Sequence, residues 1–222
     1  MDAILTIHSV DDSGSVLSIA PSDLERLVEA LLASDVEFTS VTDITNGDSA
    51  ERNRVALTFD DGLESVHRHA LPLVERLRVP ATVYVVADWV GRDNGWPGQP
   101  AAAPRFELMD WAHLDELRDV GFEIGSHTAN HVHLRGLSAD DYETELGGAK
   151  RTLEDRMQVP IRSFAYPYGT HDAESAAAVG GWYSNAVTTR MAYLGPQADP
   201  LRLPRLDVYY LRGSLSIRGG GL

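Results

Sequence analysis

The sequence predicts an α/β protein built on a parallel sheet, and three observations support this prediction. Short apolar stretches with strand character alternate along the chain with stretches of helical periodicity. Several apolar stretches lack polar alternation and stop at turn residues, which is typical of strands buried on both faces. The 222 residues contain no internal repeat and no linker. We therefore expect one domain over residues 1–222, with a sheet that is open or closed into a barrel.

The strands are predicted from short runs of apolar and β-branched residues that end at polar or turn residues. The most informative run is Val55–Phe59, because it ends abruptly in Asp60, Asp61 and Gly62. The predicted strands, in chain order, are 3–7, 36–41, 55–59, 81–86, 122–125, 163–165, 184–187 and 206–210.

The helices are predicted from apolar residues three or four positions apart and from residues that favour helix ends. Ser22 and Glu25 have capping-box spacing, and Ser138 is expected to cap a long helix that runs to about Arg156. The predicted helices open at about 21, 63, 110, 138 and 172. Residues 45–53 read as a polar loop. Residues 88–105 form a long loop rich in glycine and proline, and such loops are usually functional or mobile.

Composition narrows the function classes. The 19 basic and 33 acidic residues give a net charge of −14 without a basic stripe, which argues against nucleic acid and anionic membrane surfaces as partners. The chain has no cysteine and no apolar run long enough for an integral membrane segment, and nothing in it indicates an oligomeric state. The segment 1–10 does not resemble a signal peptide. A cytoplasmic location is therefore expected, unless the chain was trimmed from a secreted or cell-surface protein.

Two adjacent carboxylates follow the central strand. Asp60 and Asp61 lie at the carboxyl end of Val55–Phe59, where α/β enzymes place their chemistry. Burying two carboxylates there is costly unless a cation or hydrogen bonds compensate them. The sequence therefore predicts a metal or catalytic role for this pair. The alternative is a solvated turn, since Asp-Gly is a common turn sequence.

Two histidines follow another predicted strand at the same sheet edge. His127 and His131 are four residues apart, so on one face of a helical turn their Cβ atoms would lie about 5–6 Å apart. Such a pair alone is weak evidence, and two surface histidines are the alternative. Together with a carboxylate from the central strand, however, two histidines make a catalytic zinc-type site with an open position for water.

Three motifs carry a family resemblance. They are Thr58–Gly62, Ser126–His131 and Phe164–Gly169, and they occur in the expected order across nearly the whole chain. With them the chain resembles the polysaccharide deacetylases, the NodB-homology group of carbohydrate esterase family 4. The resemblance implies a distorted (β/α)7 barrel and metal-dependent removal of N-acetyl groups from sugars.

The resemblance also implies roles for individual residues. Asp60 would be the general base, and Asp61, His127 and His131 would bind a divalent metal. Zinc is expected, with cobalt, nickel and manganese as alternatives. The backbone N–H of Tyr168 would help to stabilise the oxyanion. The neighbouring residues of that motif, Tyr166 and Pro167, are expected to line the substrate site.

The sequence departs from the common family pattern in two places. Most members carry an arginine at the position of Ala165 and a late histidine that acts as general acid, and the last predicted strand here has no histidine. Circularly permuted members instead place a histidine at the end of their first strand, which points to His8 as the acid. A hydrogen-bonded histidine at a strand end is the alternative for His8. Arg205 is expected either to replace the missing arginine or to form a structural salt bridge.

Three hypotheses follow for function. The leading one is a metal-dependent deacetylase of N-acetylated sugars in a polysaccharide or glycoconjugate. The second is a metal-dependent C–N hydrolase of a small cyclic or linear amide, and the third is an inactive carbohydrate-binding domain. The loop 88–105 is expected to border the substrate groove. There Trp96 either stacks on a sugar ring or anchors the loop.

Overall fold

All strands of the central sheet run parallel, as the alternation of strands and helices predicts. The computed structural model describes residues 2–46, 52–100 and 102–211. Its strands are β1 (Ala3–Ile7), β2 (Ser9–Val10), β3 (Ser18–Ile19), β4 (Glu37–Thr39), β5 (Arg54–Phe59), β6 (Thr82–Val85), β7 (Glu123–Ser126), β8 (Ser163–Ala165), β9 (Asn185–Val187) and β10 (Leu206–Asp207). The main sheet has the order β10-β1-β5-β6-β7-β8-β9, and β4 pairs with the first half of β5. Strands β2 and β3 form a separate small sheet.

The segment 203–207 closes this sheet into a barrel. Leu203 forms a parallel bridge with Val187, and its carbonyl accepts a 2.8 Å hydrogen bond from the N–H of Thr188. Three residues later the same segment begins to pair with β1 on its other side. The seven strands β1 and β5–β10 therefore surround one interior, and the predicted distorted (β/α)7 barrel is confirmed.

Helices connect successive strands, and most of them pack on the outside of the barrel. They are α1 (Pro21–Ala33), α2 (Val41–Asn46), α3 (Leu71–Leu77), α4 (Trp111–Asp119), α5 (Ala139–Tyr142), α6 (Ala149–Met157) and α7 (Ala173–Gly180). π-helical turns precede α3 and join α5 to α6. Asp110, Ser138 and Asp172 begin α4, α5 and α7, and each side chain accepts a hydrogen bond from a backbone N–H of the first turn. The predicted capping role of Ser138 is thus confirmed.

The barrel interior contains a small apolar core that is distinct from the larger core under the outer helices. Alternation along each strand puts every second residue inside, and Ile4, Ala56, Tyr84, Ala165 and Val187 belong to this inner cluster. The same alternation continues along β1 from Ile4 through Thr6 to His8, the residue directly after the strand. Polar side chains near the carboxyl ends of the strands therefore point into the mouth of the barrel.

The short helix α2 covers the amino-terminal end of the barrel. Val41 and Ile44 belong to the inner cluster, and the Glu123 carboxylate accepts hydrogen bonds from the N–H groups of Val41 and Thr42 at 3.0 and 3.2 Å. This capping explains one wrong prediction. Residues 36–41 were expected to form a strand, but pairing ends at Thr39 and Glu123 starts a helix at Val41.

Two other element predictions were wrong at their ends. Helix α1 begins at Pro21 with Ala20 as its N-cap, so Ser22 is inside the helix and does not cap it. Proline at the first helical position needs no N–H partner there. The last strand stops at Asp207, and residues 208–211 are helical. Among the described ranges, no helix has the length and apolarity needed to cross a bilayer.

Candidate active site

The turn after β5 presents two carboxylates at the mouth of the barrel. Asp60 still follows the strand, since its N–H donates to the Ile7 carbonyl at 2.9 Å. Asp61 and Gly62 then adopt left-handed conformations with φ of 71° and 72°. Glycine takes this conformation without a penalty, but for a residue with a Cβ atom it costs roughly 1–2 kcal/mol. Non-glycine residues held in this region often belong to functional sites, as Asp61 does here.

Asp61, His127 and His131 converge on one point. Their ligand atoms all lie within 4.8 Å of one another, and all three residues are buried. Asp61 Oδ1 lies 3.4 Å from His127 Nε2 and 3.3 Å from His131 Nε2. Nitrogen and oxygen ligands bound at about 2.0–2.2 Å in a tetrahedron are themselves about 3.3–3.6 Å apart. The spacing therefore fits a divalent metal between these atoms.

The hydrogen bonding of the three residues also fits a metal. Asp61 Oδ1 is buried and has no hydrogen-bond partner among the described residues. The Nδ1 atom of His127 lies 2.8 Å from the Ala165 carbonyl, which can only accept, so Nδ1 carries the proton and Nε2 has a free lone pair. Burial raises the pKa of Asp61, but the two imidazoles outweigh it and hold the pKa well below its usual range. The carboxylate is therefore ionised, as a metal ligand must be.

His131 is placed by a turn and not by a helix, so the predicted helical turn was wrong. Residues 127–131 leave β7 through a turn in which Thr128 and His131 have left-handed φ values of 66° and 58°. Thr128 Oγ1 accepts a 2.8 Å hydrogen bond from the His131 N–H. Burial lowers the pKa of His131, which favours the neutral imidazole that a metal binds.

Asp60 forms a buried ion pair with Arg205. Two 2.7 Å hydrogen bonds join Arg205 Nη1 and Nη2 to the two carboxylate oxygens, and Arg205 Nε donates to the Thr188 carbonyl at 2.9 Å. Burial raises the pKa of Asp60, but the charge and hydrogen bonds of Arg205, together with the charges of His127 and His8, lower it by more. Asp60 is therefore ionised at neutral pH. Arg205 lies where it can take the place of the arginine missing at Ala165, and its catalytic role stays a prediction.

His8 lies beside Asp60 at the end of β1. Its Nε2 is 3.9 Å from Asp60 Oδ2, and its side chain is 24% exposed. Within the described part of the chain, neither ring nitrogen forms a hydrogen bond, so the alternative of a hydrogen-bonded strand-end histidine is not supported. His8 lies at the same barrel mouth as the candidate metal ligands. A general acid at the end of the first strand would have to lie there. Its role as general acid stays a prediction.

Three residues after β8, Tyr166, Pro167 and Tyr168, were predicted to act at the substrate site, but only Tyr168 is exposed. Tyr166 is 1% exposed and its hydroxyl donates to the Leu201 carbonyl at 2.9 Å, and Pro167 is also buried. We therefore correct the prediction that these two side chains line the substrate site. Tyr168 has a left-handed φ of 59°, is 38% exposed, and places its ring edge-on to His131. The proposed oxyanion role of its N–H stays a prediction.

Trp96 anchors the loop 88–105 against the candidate metal centre. Its side chain is 2% exposed and stacks on the His131 ring at a centroid distance of 4.2 Å, among Leu63, Val86 and Leu108. A buried ring has no face to offer a sugar, so this burial favours the anchoring alternative, and the role of Trp96 stays a prediction. The expected position of the loop beside the substrate groove stays a prediction.

Several supporting groups were not predicted from the sequence. Thr58 Oγ1 accepts from Arg205 Nη1 at 3.2 Å, and the carbonyls of Thr188 and Ala165 orient Arg205 and His127. Every residue has a backbone carbonyl, so the residue types at positions 165 and 188 could not predict these contacts. Thr58 lies in the motif Thr58–Gly62, and its inward position on β5 was the available indication.

A sequence profile of the family described as polysaccharide deacetylase matches residues 47–181, more than half of the chain. The chain belongs to the polysaccharide deacetylase family. The match includes Asp60, Asp61, His127 and His131, whereas His8 and Arg205 lie outside it.

Relatives and solved structures agree with this membership. The poly-beta-1,6-N-acetyl-D-glucosamine N-deacetylase of Staphylococcus epidermidis is 22% identical over 86% of this chain and 68% of its own length. Bacillus subtilis YxkH is also 22% identical, and the chain spans 63% of its length.

Among solved structures, IcaB from Ammonifex degensii has a TM-score of 0.80 with 22% identity over 97% of this chain and 96% of its own. The Streptococcus pyogenes deacetylase PplD, in complex with acetate, has a TM-score of 0.79 with 21% identity, over 92% of this chain and 91% of its own. At these identities the structural likeness supports the fold.

Proposed function

We propose that this chain is a zinc-dependent hydrolase that removes N-acetyl groups from amino sugars of a polysaccharide. One observation carries the proposal. The buried Asp61–His127–His131 cluster lies beside an Asp60 carboxylate that Arg205 keeps ionised, in a member of the polysaccharide deacetylase family. The activity for which the Staphylococcus epidermidis relative is named supports the choice of N-acetylglucosamine polymers as substrates.

The three ligand side chains would hold the metal, which when bound lowers the pKa of a water towards about 7 and polarises the substrate carbonyl. Asp60 would accept a proton from the attacking water. Its lowered pKa keeps Asp60 ionised, and therefore able to accept a proton, at neutral pH. Arg205 holds both oxygens of Asp60 in place, and the N–H of Tyr168 would face the oxyanion.

His8 would donate a proton to the departing amine. Its ring lies 3.9 Å from Asp60 and reaches solvent, so it can be reprotonated between turnovers. The reaction as a whole transfers an acetyl group to water and leaves a free amine on the sugar. Because Asp60, Asp61, His127 and His131 are all present at the barrel mouth, an inactive carbohydrate-binding domain is disfavoured.

Acetate release tests the proposal. Metal-free protein, and protein loaded separately with zinc, cobalt, nickel or manganese, is incubated with β-1,6-linked and β-1,4-linked N-acetylglucosamine oligomers and with small cyclic amides. We expect acetate from oligomers with the zinc-loaded form. Turnover of the cyclic amides alone would favour the second hypothesis.

Two variants assign the roles in the same assay. Asp60→Asn should bind metal but lose activity by roughly 10²–10⁴-fold, as for a general base. His127→Ala should lose the metal itself. Equal metal content in wild type and His127→Ala, or normal turnover by Asp60→Asn, would contradict the proposal.

A further inference from the structure

A cavity opens in the barrel mouth on the β1–β10 side of Asp60. It has a volume of about 500 Å³, and its walls include Thr6, His8, Asp207 and Tyr210. The candidate metal ligands follow β5 and β7, so the cavity and the metal centre lie on different sides of Asp60 in the strand order. None of the roles assigned above uses Thr6, Asp207 or Tyr210.

A buried hydroxyl in this cavity lacks a partner. Thr6 and Asp207 are paired in the register of β1 and β10, and both line the cavity. Thr6 is 3% exposed, and its Oγ1 forms no hydrogen bond with any described residue. Leaving a buried polar atom unpaired costs about 1–3 kcal/mol. The hydroxyl is therefore placed to bond a group that enters the cavity.

The cavity also carries a carboxylate that is not part of a salt bridge. Among the described residues Asp207 forms no ion pair, and its Oδ1 accepts one hydrogen bond from the Tyr209 N–H at 2.9 Å. Arg205 also lines the cavity and attracts Asp207 electrostatically, but both of its terminal nitrogens donate to Asp60. Arg205 thus faces two carboxylates, and a ligand with a positive charge and hydroxyl groups matches the excess of negative charge.

We propose that this cavity binds a neighbouring sugar of the substrate in its free-amine form. The ammonium group pairs with Asp207, a sugar hydroxyl donates to Thr6 Oγ1, and the sugar ring packs on Tyr210, which is 72% exposed. The proposal rests on the proposed function, because it extends the same substrate site. It predicts that the preferred substrate is a partly deacetylated polymer and that deacetylated product competes for the site.

Kinetics with two oligomers test this preference. A fully acetylated N-acetylglucosamine tetramer is compared with the tetramer that carries one free amine. We expect kcat/KM to be about five- to tenfold higher for the cationic tetramer at low salt, as for a partly exposed ion pair with a charge-assisted hydrogen bond. The preference should fall in 0.5 M sodium chloride, since salt screens the pair.

Asp207→Asn should bring the ratio of the two kcat/KM values to about one, because asparagine keeps the acceptor for Tyr209 but loses the charge. Asp12→Asn is the matched control, since Asp12 is an exposed carboxylate of the same barrel mouth that lines a different cavity. The control should keep the wild-type ratio. An unchanged ratio in Asp207→Asn, including an equal loss for both oligomers, overturns the proposal.

Binding separates failure of this proposal from failure of the proposed function. Calorimetric titration with the fully deacetylated tetramer needs no turnover. Wild type should bind it, Asp207→Asn about five- to tenfold more weakly, and Thr6→Val weakly too while keeping the wild-type Tm, because Oγ1 has no protein partner to lose. Equal binding by wild type and Asp207→Asn, or none by wild type, overturns the cavity proposal. Absence of acetate release with retained, Asp207-dependent binding contradicts only the deacetylase assignment.

Discussion

At the scale of single residues, the two histidines of the candidate metal centre are oriented by different means. His127 is fixed by a hydrogen bond from Nδ1 to the Ala165 carbonyl, whereas His131 Nδ1 has no partner within the described ranges. The His131 ring is instead held by contact with Trp96 on one side and Tyr168 on another. The carbonyl of Ala165 thus orients His127, and this role does not depend on which side chain the position carries.

His8→Ala is expected to slow amide hydrolysis by roughly 10²–10⁴-fold, because a positioned acid would no longer protonate the leaving amine. Metal content should not change, since His8 is not among the three clustered ligands. The loss should shrink for an aryl acetate, whose leaving group needs little protonation. The measurement is kcat for an N-acetylated oligomer and for the aryl acetate with each protein.

His69→Ala serves as the control for His8→Ala, because His69 lies on the outer helical layer and not at the barrel mouth. It should leave both reactions unchanged. If His8→Ala slows the amide and the activated ester equally, His8 positions the substrate or Asp60 and is not the acid.

The sequence predicted which residues form the candidate metal centre, but it did not predict how the backbone places them. Two histidines and a carboxylate after different strands are visible in the sequence, and the structure brings them together. The turn that does so depends on left-handed backbone at Asp61, Thr128 and His131, which is uncommon for any residue with a Cβ atom, although Asp and His adopt it more often than most. The pairing of Arg205 with Asp60 joins residues 145 positions apart, and only closure of the barrel creates it.

At the scale of elements, the loop 88–105 supports the metal centre from outside. Its backbone is tied to the turn after β7, since the N–H groups of Ala87 and Asp88 donate to the carbonyls of Thr128 and Ala129 at 3.1 and 3.0 Å. Trp96 completes the contact by stacking on His131. The loop length and its glycine and proline content indicated importance, but the direction of Trp96 depends on the apolar cluster that receives it.

Trp96→Leu is expected to weaken zinc binding by roughly 10–100-fold, the usual cost of losing a group that orients a metal ligand. Trp96→Phe keeps an aromatic face against His131 and should lose less. The measurement is the zinc Kd by competition with a chromophoric chelator, together with the Tm of each metal-free protein.

Trp111→Leu provides the matched control, because Trp111 packs at the edge of the outer core, away from the ligands. It should lower the Tm without changing the zinc Kd. An unchanged Kd in Trp96→Leu would mean that the stack stabilises the loop but does not orient His131.

Strand bounds were predicted well for fully buried strands. They were predicted poorly where a group distant in sequence determines where the strand ends. β1 and β8 match the sequence prediction in full, because each is a short apolar run bounded by polar or turn residues. The start of α2 was missed because Glu123, 82 residues away from Val41, supplies its cap. The last strand was predicted too long because apolar residues suit either a strand or the helical turn that follows Asp207.

At the scale of the whole molecule, the two ends of the barrel hold different buried polar groups. The carboxyl end carries the candidate catalytic residues, while the amino-terminal end carries a network centred on Glu123. Its carboxylate accepts from two backbone N–H groups of α2 and from the hydroxyls of Thr42 and Thr82. Asn185 and Ser163 extend this network across the barrel floor to Tyr84.

The two ends should respond to pH with opposite signs. Asp60 and Asp61 have lowered pKa values, so their contribution to stability is present above the unfolded-state pKa and is lost as the pH falls through the folded-state value. Burial raises the pKa of Glu123 despite its four donors. The folded state therefore holds this proton more tightly than the unfolded state. The Glu123 contribution to stability is full below the unfolded pKa and declines as the pH rises through the folded value.

Glu123→Gln isolates this contribution, because glutamine keeps the acceptor for the N–H groups of α2 but does not titrate. The free energy of unfolding is measured by urea denaturation of metal-free wild type and variant between pH 4 and pH 7. We expect the variant to gain stability relative to wild type as the pH rises, since only wild type must bury a carboxylate that becomes charged. Glu75→Gln, an exposed substitution on α3, is the control and should follow wild type at every pH. A constant difference between Glu123→Gln and wild type would show that Glu123 has the same pKa in the folded and unfolded states, and that the four donors offset its burial.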